Sequence, residues 1–77
     1  MTYWIRWQSA DGGEGPRIGP FDHRQEADVA QLNEVRAAAA ALEHGTGSAG
    51  EWTSEGALYR SDINDGFLGR YVIEVEP

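Results

Sequence analysis

The stretch from Asp22 to Gly45, DHRQEADVAQLNEVRAAAAALEHG, decides the fold. Leu32, Val35, Ala39 and Leu42 recur every three to four residues with Val29 and Ala38 at their borders, which is the apolar stripe of one amphipathic helix. Asp22, with Gln25 three residues on, gives a capping-box-like start, and Gly45 supplies a stop, so the helix is predicted from about His23 to Glu43. The stripe is expected to face a sheet. Ala37 to Ala41 is a run of high helicity and little bulk, which lets a strand or a second helix come close to its backbone.

Strand signals flank this helix. Thr2 to Gln8 alternates Tyr3, Ile5 and Trp7 with Thr2, Trp4, Arg6 and Gln8, the pattern of a half-buried strand with the first set inward. A glycine-rich turn at Ser9 to Gly15 would fold Arg17 to Phe21 back beside it, at a sheet edge because Pro16 and Pro20 lack ladder donors. His44 to Gly56 reads as a loop. Ala57 to Ile63 and Phe67 to Glu76 read as a β-hairpin through Asn64-Asp65-Gly66, with Phe67, Tyr71, Ile73 and Val75 on its core face. The expectation is one α+β domain over residues 1–77. Its order is β(β)αββ, a three- to four-stranded antiparallel sheet with one helix across it.

Thirteen acidic residues stand against six arginines, with no lysine, giving a formal net charge of −7. Such a surface repels nucleic acid and suits a basic partner. Arginine in place of lysine, with abundant alanine and glycine, fits a GC-rich coding background; arginine also pairs carboxylates bidentately, and Arg6, Arg60 and Arg70, on predicted strands, are expected to tie the acidic surface together by internal ion pairs. Cysteine is absent, which excludes disulfides and thiolate metal sites, and a core of this size gains from homodimerisation. Met1 to Gln8 does not read as a signal peptide and no apolar run reaches membrane-spanning length, so a soluble, cytoplasmic protein with no membrane partner is expected.

No motif carries catalysis. Asp62 to Gly66 has alternating oxygen donors, but an EF-hand loop counted from Asp62 would need glycine and glutamate where Phe67 and Ile73 stand. His23 and His44 lie at opposite ends of the helix, roughly 30 Å apart, and cannot share a metal. The serines lie outside any nucleophile-elbow pattern and the glycines outside any phosphate loop. No enzyme, metal or cofactor is expected.

The informative residues are acids and tryptophans. Trp7 belongs with the core; Trp4 and Trp52 either pack locally or serve an interface, and Trp52, flanked by Glu51 and Glu55, is the better anchor. Acids at the helix start suit the helix dipole. Asp11, Glu14, Glu51, Glu55, Asp62 and Asp65 lack such a local reason, so they either solvate the surface or form an anionic patch that imitates rows of phosphates.

In size, acidity, absence of cysteine and single α+β domain, the chain resembles the small inhibitors encoded by phages and mobile elements, above all the anti-CRISPR proteins. They share no sequence signature, so the likeness transfers no residue. It implies a non-enzymatic, DNA-mimic-like inhibitor that blocks a basic nucleic-acid-binding surface, most directly of a CRISPR effector complex, in the cytoplasm of a bacterial host. Asp11, Glu14, Glu51, Glu55, Asp62 and Asp65 would stand in for phosphates and Trp52 for an apolar anchor. Tyr3 to Trp7 followed by Gly19 to Ala27 also looks like the ββα start of phage-integrase arm-type DNA-binding domains. Those carry basic strands, whereas this chain is acidic and is expected to bind no nucleic acid directly. The competing expectation is a structural or regulatory homodimer, joined through a sheet edge or the alanine-rich helix face, whose acidity only confers solubility.

Overall fold

A computed structural model describes residues 1–46, 50–60 and 66–77. Five strands and one helix follow in the order β1 (Thr2–Ser9), β2 (Glu14–Phe21), α1 (Arg24–Thr46), β3 (Gly50–Trp52), β4 (Ala57–Arg60) and β5 (Phe67–Glu76). The strands form one antiparallel sheet ordered β2-β1-β5-β4-β3, and α1 packs across one face of it. This is the α+β architecture expected, with five strands rather than three or four. The proline-bearing β2 takes the edge position that its missing donors require.

The additional strand is β3, inside the stretch read as a loop. Three residues, Gly-Glu-Trp, are too few to show periodicity; what makes them a strand is pairing with β4 and a close approach to the helix. A Cβ on Gly50 would lie 2.8 Å from the Ala39 carbonyl oxygen, so glycine on the strand and alanine on the helix together permit this contact. The alanine run thus does admit a neighbouring backbone. At Gly69 (φ +152°) the missing side chain leaves room for the Trp7 ring, which a Cβ would meet at 2.6 Å.

The helix is rotated from its expected setting. The residues it buries are Ala27, Gln31, Val35 and Ala39, spaced by four, whereas Val29 is 54% exposed. A polar residue at the centre of the stripe hid this from the apolar pattern. Gln31 is buried because its Nε2 donates to the carbonyls of Tyr71 (2.7 Å) and Glu55 (3.1 Å), holding the 53–56 turn and β5 to the helix. The N-terminal cap is also one residue later than expected: the Glu26 carboxylate, not Gln25, reaches back to accept from the backbone N–H, and the donor is His23 rather than Asp22.

The core comprises Ile5 and Ala27 together with a cluster of Val35, Ala39 and Leu58, against which Trp7, Leu68 and Tyr71 pack. Here the β4–β5 hairpin departs from strict alternation. Leu58 pairs with Gly69 but Tyr59 pairs with Phe67, so Leu68 is an extra residue in a bulge and turns toward the helix. Phe67, expected inward, instead lies beside Tyr59 with ring centroids 5.3 Å apart. The central pairing is β1 with β5, in unbroken register from Thr2↔Glu76 to Ser9↔Gly69. The expected turn residues Asn64 and Asp65 lie outside the described residues.

Candidate functional site

The face of the sheet opposite the helix carries the charge network. β1 contributes Trp4 and Arg6, β2 contributes Glu14 and Arg17, and β5 contributes Glu74 and Glu76; antiparallel register brings the three strands' same-face positions together. Arg6 pairs with Glu14 (3.2 Å) and Glu74 (3.5 Å), and Arg17 pairs with Glu74 (3.5 Å) and Glu76 (3.2 Å). The Arg17 guanidinium lies 4.0 Å over the Trp4 ring, whose Nε1–H donates to Glu76 at 2.9 Å. Those bonds from Trp4 and then Arg17 hold the Glu76 carboxyl below its ordinary pKa. Arg6 Nε and Glu74 Oε1 are shielded from solvent and face each other without hydrogen-bond geometry, an ion-pair contact only.

Two guanidinium groups therefore serve three carboxylates and an indole in this cluster, although Arg6 Nε and Glu74 Oε1 make no hydrogen bond. Arg6 was expected to tie the acids together. Arg17 was not, because its partners are about 60 residues away in sequence and only the strand order brings them near. Trp4 packs locally. Within the core, burial pushes the Tyr71 hydroxyl above its ordinary pKa, with the nearby Glu34 charge adding to the shift.

The acids singled out by sequence separate. Asp11 sits in the β1–β2 turn, where it accepts from the Gly13 N–H at 3.1 Å. Glu14 opens β2 rather than lying in a loop, and it is tied to Arg6. Glu51 and Trp52 are adjacent on β3 and so point to opposite faces: Glu51 with Tyr59 on the helix-free side, Trp52 with Leu58 on the helix side. Glu55 lies in the turn before β4, its carbonyl held by Gln31 and Arg70. Asp62 and Asp65 lie outside the described residues. The Asp11–Glu14 group and Glu51 flank opposite edges of the sheet, four strand steps or roughly 19 Å apart. They form two separate acidic edges.

Trp52 is 42% exposed, and the Arg36 guanidinium stands 5.9 Å from its ring centroid. Exposed indole, guanidinium and the neighbouring Glu51 give this edge interface-type side chains. Sequence alone offered Trp52; Arg36 was hidden because thirteen residues, 37–49, separate it from the start of β3. An open groove of about 540 Å³ also lies at the start of the helix, over Phe21, Val29 and Ala30, with His23, Gln25, Glu26 and Asn33 around it.

Among the described residues no three His, Cys, Asp or Glu side chains are grouped to hold a metal ion, and no helix is long and apolar enough to cross a membrane. The fold and these edges define a class: a two-layer α+β protein with an acidic surface and an exposed tryptophan. No family model, curated protein or solved structure matches the chain.

Proposed function

We propose that this protein is a non-enzymatic inhibitor that binds a basic nucleic-acid-recognition surface of another protein, most directly a CRISPR effector complex, and competes with the nucleic acid. The observation that carries the reading is the division of charge. Arg6 and Arg17 are spent within the sheet, whereas Asp11, Asp22, Glu51, Glu55 and the helix acids Glu26 and Glu43 are exposed without an ion pair among the described residues. The unpaired charge is thus mostly negative, seven carboxylates standing against Arg36 and Arg70 among the described residues, which favours a basic surface and disfavours nucleic acid. Trp52, at the Glu51 edge, supplies apolar contact where charge alone would give weak, salt-sensitive binding.

The test is a pulldown from bacterial lysate with the wild-type chain and with a Glu51→Gln/Glu55→Gln/Trp52→Ala variant as baits. Recovery of a nucleic-acid-binding protein by the wild type, reduced in the variant and by raised salt, supports the reading. Equal recovery by both baits, or recovery that ignores salt, refutes it.

A further inference from the structure

The solvent side of α1 bears an unusual face. Its outward positions at residues 33, 37, 40, 41 and 44 are all exposed, and three of these five are alanine. Surface helices normally place charged or long polar residues there. Arg36 and Glu43 stand on one flank of the strip, both exposed, and Trp52 stands beside Arg36 at its rim. Glu43 makes no ion pair among the described residues.

We infer that this face binds a second copy of the chain, with the two helices antiparallel about a two-fold axis between Ala38 and Ala39. Charge sets that choice. An antiparallel helix pair brings the same flank of both helices together, so Arg36 and Glu43 of one chain meet flank residues of the same kind. An axis at Val35 would place Arg36 beside its own copy and Glu34 beside its own copy. Moving the axis half a heptad toward the C-terminus opposes Arg36 to Glu43 twice by symmetry. In that register Ala37 faces Ala40, allowing close approach, Asn33 faces His44, and the helix dipoles oppose favourably.

The overlap from residue 33 to 44 is about 18 Å long, which covers well under the roughly 800 Å² per partner of a standard interface. The dimer is accordingly weak, with dissociation constants of about 10 µM or higher. The inference goes beyond the proposed inhibition and does not depend on it, since a dimer either forms or fails to form without any partner.

Sedimentation equilibrium over about 10 µM to 1 mM tests it, because that range brackets the expected midpoint. Wild type should show a monomer–dimer equilibrium and Ala40→Glu should remain monomeric with an unchanged melting curve. Arg36→Glu should weaken dimerisation about tenfold, and Arg36→Glu/Glu43→Arg should restore it. Since the chain has no cysteine, register can be read directly by mild oxidation. An Asn33→Cys chain mixed with a His44→Cys chain should give the mixed disulfide, whereas Asn33→Cys alone should not, its copies being about 16 Å apart along the axis and beyond bridging distance. A wild type that stays monomeric at the top concentration, a dimer indifferent to Ala40→Glu, or a disulfide between two Asn33→Cys chains would overturn the inference.

Discussion

Replacing Gln31 by Leu tests the packing of helix on sheet most directly. The side chain is buried at the middle of α1 and its amide donates to the carbonyls of Tyr71 and Glu55, at 2.7 and 3.1 Å. Leucine is of similar volume but cannot donate. Each hydrogen bond contributes about 1 kcal/mol net, and a buried carbonyl left without a donor costs about 1–3 kcal/mol. Glu55 O also receives Arg70 at 3.4 Å, so the uncompensated loss falls mainly on Tyr71 O. Adding the lost bonds and one orphaned acceptor, and crediting leucine with about 1 kcal/mol of apolar burial, gives a net loss of about 2–4 kcal/mol. A domain of this size has only about 4–11 kcal/mol to lose. At about 4–8 °C per kcal/mol, the melting temperature should fall by roughly 10–30 °C, readable by circular dichroism and by the urea midpoint. Gln31→Glu, which exchanges the donor for a buried carboxylate, should be worse still. A Gln31→Leu protein that melts within about 2 °C of wild type would show that the glutamine does not hold the helix to the 53–56 turn, and the argument would fail.

Other consequences are smaller or more local. Gly50→Ala places a methyl against the Ala39 backbone and should cost about 1–3 kcal/mol, measured by urea denaturation, because neither backbone is free to retreat. Arg17→Ala should lower stability by about 1 kcal/mol and alter tryptophan fluorescence, since Trp4 loses the cation above its ring and Glu74 and Glu76 lose a partner. Because its folded pKa is depressed, Glu76 contributes stability that is present above the ordinary glutamate value of 4.5 and is lost as pH falls through the lower folded value; Glu76→Gln should flatten that part of an acid-denaturation profile. Tyr71 has the opposite sign: its raised pKa gives stability present below pH 10 that is lost as pH rises, and Tyr71→Phe should remove this alkaline component.

How far the candidate site was legible follows from what each residue depends on. Trp52 and the acids were visible as residue types in a polar stretch, because composition reports surface chemistry without knowing where the chain goes. That Glu51 and Trp52 face opposite sides, and that Glu14 is neutralised by Arg6, depended on strands whose existence or start only pairing defined. Asp11 and Glu51 could not be seen to lie on separate edges, since nothing along the chain encodes the strand order β2-β1-β5-β4-β3. The exposed face of α1 was half visible: the alanine run announced a close approach, and the structure shows Ala39 using it against Gly50 while Ala37, Ala40 and Ala41 remain open.

The sequence by itself determined the long helix, the inward side of β1, the extent of β5 and the edge position of β2. Those follow from local causes: helical spacing of apolar residues, strict alternation of aromatic and polar side chains, and prolines that cannot donate. Tertiary structure alone decided the rotation of the helix about Gln31, the strand at Gly50–Trp52, the bulge that turns Leu68 inward in place of Phe67, and the Arg17 ion pairs. Each of these depends on a partner distant in sequence: a carbonyl for a buried amide, a strand edge for three residues with no pattern, carboxylates across two strands. Such choices are made when the layers pack, because only then do polar groups leave water and require a specific neighbour.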